Sequence, residues 1–309
     1  MKKIVRVLAL LAVIIFVAVF ALQKKSIPLQ VLKEKYTTPA SKFLEVDGMQ
    51  VHYRVEGEGT PIVLIHGTGS CLQTWDAWTD SLQKNNFKVI RLDMPGFGLT
   101  GPRKDNDYSV KNYINFLDTF LHRIHIDTFA IAGNSLGGEI AWRYALEYPS
   151  KVSKLILIDP AGFYSKEHRN EAIVFKLAKI KWIANLMSKA DTKIIVNQTL
   201  KDVYEEDTKI TAKQQQLYYD MSMREGNRES FSARVQQVGK EPQLDISKIT
   251  TPTLIQWGKE DKLIDISMLD NFKKIPNNEV VIYENCGHSP QEEIPARSVS
   301  DVIKFLKNK

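Results

Sequence analysis

Apolar residues along this chain follow two periods. Short, mostly apolar runs recur at intervals, and stretches with apolar residues three and four apart lie between them. The runs are Pro61 to Ile65, Lys88 to Leu92, Thr128 to Ala132, Lys154 to Ile158, Thr253 to Trp257 and Glu279 to Tyr283. Continuous apolar strands of this length belong to a parallel sheet covered on both faces. Ahead of them, Phe43–Val46 and Met49–Val55 alternate around Asp47-Gly48, the pattern of a β-hairpin. Helical spacing is expected at about 72–84, 110–125, 136–147, 266–273 and 292–308. Strand–helix alternation predicts an α/β fold with a mostly parallel, doubly wound sheet over residues 43–161 and 246–309. Residues 162–245 break the rhythm. They are too long for one crossover and hold helix-spaced apolar clusters such as Ile173, Val174, Leu177 and Ile180, so they are read as an inserted helical cap.

The N-terminus follows a third pattern. Val7 to Leu22 is unbroken apolar, with Lys2, Lys3 and Arg6 before it and Lys24 and Lys25 after it. With no polar face it does not suit a surface helix, and with Ile4 and Val5 it approaches the length that spans a bilayer. Residues 1–25 are read as a transmembrane signal anchor. A secretory signal cleaved near Val19-Phe20-Ala21, which would release the domain, is the alternative. Residues 26–42, polar and holding Pro28 and Pro39, read as a stalk. An anchor of this shape implies a catalytic domain outside the cytoplasm.

Charge supports the division. Residues 1–36 carry Lys2, Lys3, Arg6, Lys24, Lys25, Lys33 and Lys35 against Glu34 alone, which accounts for the whole formal charge of +6. The remainder is balanced, so a nucleic-acid-binding body loses its electrostatic support. Within the cap, residues 163–200 hold seven basic residues against three acids, beside Phe175, Trp182, Ile183, Leu186 and Met187. That composition suits a membrane-surface face, although a cap must in any case bury apolar residues and expose lysines. Cys71 and Cys286 cannot form a disulfide framework and read as packed thiols. The six histidines show no ligand spacing, so no metal or cofactor is expected.

Candidate chemistry centres on Gly133-Asn134-Ser135-Leu136-Gly137-Gly138, a G-x-S-x-G pattern between an apolar strand and a stretch with apolar residues at helical spacing. A strand-to-helix turn this tight leaves room only for small residues and holds the serine at a helix N-terminus, where developing negative charge is favoured. A serine nucleophile needs a base and an orienting acid. His288 follows one predicted strand and Asp261 another, and Asp159, ending a third, is the alternative acid. Two backbone N–H groups, of Leu136 and of Thr68 after the strand ending at Ile65, would form an oxyanion hole. Each such donor is worth about 3–4 kcal/mol.

These motifs resemble the α/β-hydrolase superfamily over nearly all of residues 43–309. The resemblance rests on His66-Gly67-Thr68-Gly69, Asp93-Met94-Pro95-Gly96-Phe97-Gly98, the serine turn, Trp257-Gly258-x-x-Asp261 and Cys286-Gly287-His288. It implies the order Ser135, Asp261, His288 for the triad, with Asp93 and His66 bracing loops. Serine at the turn argues against relatives that open epoxides or remove halogens through an aspartate. Two enzymatic readings follow. One is a serine esterase or lipase acting on lipid-like esters through an acyl-enzyme, similar to monoacylglycerol lipases and small bacterial lipases. The other is a carbon–carbon hydrolase of the meta-cleavage-product type, which Asn134 and Cys286 match but Ser289, where that family carries a tryptophan, does not. A non-catalytic binding protein on this fold would be expected to have lost a triad member, and none is lost.

Overall fold

The computed structural model describes residues 23–163 and 173–308. Its sheet has eight strands: β1 (Ser41–Val46), β2 (Met49–Glu56), β3 (Thr60–Ile65), β4 (Phe87–Leu92), β5 (Phe129–Asn134), β6 (Val152–Ile158), β7 (Thr253–Gly258) and β8 (Asn278–Tyr283). The order is β1-β2-β4-β3-β5-β6-β7-β8. The β1–β2 hairpin and the β2–β4 pair are antiparallel, and every other pair is parallel. The eight runs read from the sequence are these eight strands. From β3 the chain steps one way to β4 and then back across to β5, so β3 and β5 flank the point where the winding reverses. Ligands of open α/β sheets bind beyond the strand ends at that point.

The helices are α1 (Leu29–Tyr36), α2 (Asp76–Gln83), α3 (Val110–Arg123), α4 (Leu136–Glu147), α5 (Ile173–Ala178), α6 (Lys181–Met187), α7 (Lys193–Val203), α8 (Ala212–Met223), α9 (Asn227–Val235), α10 (Leu269–Phe272), α11 (Pro290–Glu293) and α12 (Pro295–Lys307). One sheet face is covered by α2 and α12. There Val299, Val302 and Phe305, three apart on α12, pack with Trp78 and Leu82 of α2 over Ile62 and Leu64. The other face takes α3 and α4, with Phe116, Phe120, Ile140 and Trp142 over Val63 and Ile131. Helix α4 is buried from Leu136 to Ala145, which explains why its sequence lacks a clean polar face.

Helices α5 to α9 lie within the expected cap. Residues 26–42, read as a stalk, carry α1 and are fastened to this cap. Lys24 N–H donates to Lys189 O and Ile27 N–H to Met223 O, while Tyr36 Oη donates to Asp220 Oδ2 at 2.7 Å. Among the described residues no helix is long and apolar enough to cross a membrane. The apolar run expected to be a transmembrane anchor falls in residues 1–22, outside the described residues.

Candidate active site

Ser135 stands between β5 and α4 with φ 55° and ψ −118°. A non-glycine residue in that region is strained, and such strain persists only where the surroundings enforce it. Here they do. Ser135 N–H donates to Ile158 O at 3.1 Å, while its own carbonyl accepts from Glu139 and Ala161. A Cβ on Gly137 would lie 2.1 Å from Ile65 O, so only glycine lets α4 start this close to β3. The loop after β3 also packs tightly: a Cβ on Gly67 would stand 3.1 Å from Ser135 Cβ. This packing brings Thr68, Ser135 and Leu136 to the wall of one cavity.

His288 reaches the same cavity from the loop after β8. Its Nδ1–H donates to Asp261 Oδ2 at 2.7 Å, and Asp261 Oδ1 accepts the N–H groups of Leu263 and Ile264 at 2.7 and 3.0 Å. With both carboxylate oxygens held, Asp261 presents an acceptor to the imidazole and fixes the tautomer that leaves Nε2 a lone pair. The histidine loop is itself clamped. His288 N–H donates to Val203 O, where the cap helix α7 ends, and Gly287 N–H to Glu293 Oε2, both at 2.7 Å. Asn134 Nδ2 donates to His288 O at 2.9 Å and to Ile158 O at 3.2 Å. Asn134 therefore ties the histidine loop to the sheet, which gives it a task in either substrate reading.

Asp159 lies behind this pair. It follows β6 with φ 43°, accepts the Gly258 N–H on Oδ1, and keeps a buried Oδ2 with no hydrogen-bond partner among the described residues. Burial, then the charge of Asp261, push its acidity well above the carboxylate range. Ligand atoms of Asp159, Asp261 and His288 lie within 4.8 Å of one another, a grouping that could also face a cation. Asp261 already spends both oxygens on N–H donors, so the arrangement favours a proton kept on Asp159 over a bound cation.

The bracing residues are in place. Asp93 is buried, taking the N–H groups of Leu72 and Leu99 and the Nδ1–H of His52 at 2.7–2.8 Å. It holds the loops after β3 and β4 together. His66 donates Nδ1–H to Gly67 O at 2.8 Å and accepts the Met94 N–H on Nε2 at 2.9 Å. Burial pushes its basicity down, so it braces the Gly67–Thr68 loop as a neutral ring. Cys71 and Cys286 are buried and unpaired, and burial raises both thiols out of the reactive range.

One polar cluster was not anticipated. Glu292 accepts from Tyr218 Oη and Tyr204 Oη, each at 3.0 Å, and Tyr218 Oη meets Ser70 Oγ at 3.2 Å. The carboxyl thus joins the cap to the loop beside Thr68. In sequence, Glu292 falls at the start of the helical stretch expected at about 292–308, and nothing local marks its partners. Burial pushes Glu292 up to about 7 from an ordinary 4.5. Between these values the folded chain holds a proton that the unfolded chain releases. The stabilisation is full below about pH 4.5 and is lost as pH rises through about 7, by up to about 3 kcal/mol. Glu292→Gln is expected to gain stability relative to the wild type as pH rises from 5 to 8. Thermal melts of both proteins across that range check it, and parallel curves would refute it.

The cavity has a volume of about 310 Å³. Its floor is Ser135, Leu136 and His288, and its roof is the cap, through Phe175, Met187, Ile195, Val196, Leu200, Met221 and Phe231.

Known proteins share this fold. A model of the alpha/beta hydrolase fold matches residues 60–295. Monoacylglycerol lipase ABHD6 of Homo sapiens is 28% identical over 257 residues, covering 81% of this chain and 76% of that protein. The 2-hydroxymuconate semialdehyde hydrolase of Pseudomonas putida is 28% identical over 272 residues, covering 84% of this chain and 91% of that one. Among solved structures, a membrane phospholipase A described as a bacterial virulence factor superposes with a TM-score of 0.76 at 26% identity, covering 99% of this chain and 98% of that one. The family match spans the strands that carry Ser135, Asp261 and His288, and with the sheet order it places this chain in the α/β hydrolase fold family.

Proposed function

We propose that this protein is a serine hydrolase of carboxylic esters with apolar, lipid-like acyl groups. The observation that carries this reading is the apolar cavity with Ser135 and His288 in its floor. An acyl chain would occupy the apolar volume and place its carbonyl at Ser135. His288 Nε2 would take the hydroxyl proton as Ser135 Oγ attacks, and the imidazolium would form against Asp261. The N–H groups of Thr68 and Leu136 would hold the oxyanion. Return of the proton to the alcohol leaves an acyl-enzyme, which water then clears through the same steps in reverse.

The carbon–carbon reading draws on the likeness to the semialdehyde hydrolase, whose type of substrate carries a carboxylate that needs a cation. The cations lining the cavity are Lys179, Arg228 and Arg234. Arg228 donates to Lys24 O, Ala190 O and Ser26 Oγ, while Arg234 faces Glu139 Oε2 at 3.6 Å and donates to Tyr108 O. Both arginines are thus engaged in holding the chain, so a carboxylate held by either would compete with those bonds, which favours the ester reading. The decisive assay is a chain-length series of p-nitrophenyl esters and monoacylglycerols, run beside a 2-hydroxy-6-oxo-dienoate. Turnover of the esters, rising from short to medium acyl chains, is expected. Turnover of the dienoate alone would replace the ester reading with carbon–carbon hydrolysis.

Residues 1–25 complete the proposal as a membrane anchor, with the catalytic domain on the non-cytoplasmic side. Their unbroken apolar run and basic flanks support it. Alkaline extraction of membranes tests it: the chain should stay in the pellet.

A further inference from the structure

The helices that roof the cavity have a second face. On α5, Val174 and Phe175 line the cavity, while Leu177 points outward and is 37% exposed. On α6, Met187 lines it and Trp182 is 65% exposed; on α7, Ile195 and Val196 line it and Ile194 is 78% exposed. Ile180, between α5 and α6, is 44% exposed. Large apolar side chains gathered in this way on a soluble face mark an interaction surface. The contrast with the other tryptophans is sharp, since Trp75, Trp78, Trp142 and Trp257 are fully buried.

Charge on these helices is mostly basic. Residues 173–203 hold six lysines, of which Lys179 lines the cavity, against Asp191 and Asp202. Asp191 is neutralised by Lys24 Nζ at 2.8 Å. Apolar anchors interleaved with lysines suit the boundary of an anionic bilayer, where tryptophan and lysine are both favoured. A second observation fixes the orientation. Gln23, the residue directly after the apolar run 7–22, pairs as a β-bridge with Ala190 in the link between α6 and α7. Lys24 N–H donates to Lys189 O, and Arg228 holds Lys24 O and Ser26 Oγ. Residues 23 and 24 are therefore held against the link between α6 and α7, the helices that carry Trp182 and Ile194.

We propose that the outer face of α5, α6 and α7 rests on an anionic lipid bilayer, so that the cavity roof is also the membrane-contact surface. The proposal extends the ester reading. One layer of helix separates the bilayer from the cavity, and a lipid ester would enter between these helices without crossing bulk water. The strap at residues 23–27 ties the segment that follows the apolar run to the link between α6 and α7, which favours one side of the domain for both anchor and docking face.

Trp182 supplies the probe, because it is the exposed tryptophan of the five in the chain. The full-length protein is reconstituted into vesicles of phosphatidylcholine with phosphatidylglycerol, with and without brominated acyl chains. Bromolipid should quench the tryptophan emission, acrylamide should lose access to it, and both effects should vanish in Trp182→Phe. Emission that stays open to acrylamide and indifferent to bromolipid would overturn the proposal. Protection from acrylamide without bromolipid quenching would overturn it too, assigning the face to a second copy or a protein partner. Activity gives a separate arm. The double variant Trp182→Glu, Ile194→Glu should lose about tenfold in hydrolysis of a vesicle-borne monoacylglycerol and keep its rate on water-soluble p-nitrophenyl butyrate. Equal rates for variant and wild type on the vesicle substrate would count against docking. If the ester reading itself fails, neither ester is hydrolysed, while the fluorescence result still decides the docking.

Discussion

Ser135→Ala is expected to lower ester turnover by about 10⁴–10⁶-fold, because the group that forms the acyl bond is gone and only the oxyanion donors and the cavity remain. The loss should fall on kcat, with KM nearly unchanged, since the apolar roof that binds the acyl chain is untouched. The fold should not notice. The Ser135 hydroxyl makes no hydrogen bond among the described residues, and the strained backbone is held by the Ile158, Glu139 and Ala161 contacts, which alanine retains. The melting free energy should stay within about 0.5 kcal/mol of the wild type. A fluorophosphonate probe should label the wild type and not the variant. Hydrolysis within about tenfold of the wild type, or undiminished labelling, would remove Ser135 from the mechanism.

What could be read from the chain, and what could not, divides along physical lines. Strands buried on both faces advertise themselves as uninterrupted apolar runs, so β3 to β7 were legible, and the β1–β2 hairpin showed in its alternation around Asp47-Gly48. Ser135, Asp261 and His288 were legible because each follows a strand end. A parallel sheet carries such ends to one edge whatever the loops do. Contacts made across the cap were not legible. The Glu292 cluster draws on Ser70, Tyr204 and Tyr218, from three separate parts of the chain, and no local period records that pairing. The segment 26–42 looked like a polar stalk because its partners, Asp220, Met223 and Arg228, lie nearly two hundred residues away. Asn134 was ambiguous for a related reason. Its identity fits two chemistries, and only its bond to His288 O shows what the side chain does in this chain.

The second large effect concerns the acid, and its ordering runs against intuition: Asp261→Asn should be worse than Asp261→Ala. Asp261 Oδ1 is pinned by the N–H groups of Leu263 and Ile264. An asparagine must keep its oxygen there, so its NH₂ faces His288 and donates to Nδ1. The imidazole proton is then forced onto Nε2, and the base has no lone pair for Ser135. A loss of about 10⁴-fold is expected from that wrong tautomer. Alanine imposes no tautomer. It also removes the charge that, after burial itself, holds Asp159 protonated. Asp159 can then ionise beside His288 and stand in as the acid, limiting the loss to about 10²–10³-fold. Because burial still holds its pKa up, this rescue should strengthen as pH rises and more of Asp159 loses its proton. Adding Asp159→Asn to Asp261→Ala should erase both the rescue and its pH dependence. In the wild-type background Asp159→Asn should cost little, since a neutral amide replaces a neutral acid. Profiles of kcat/KM against pH for the four variants decide the matter. If Asp261→Ala is as slow as Asp261→Asn at every pH, Asp159 is a buried bystander rather than a second acid.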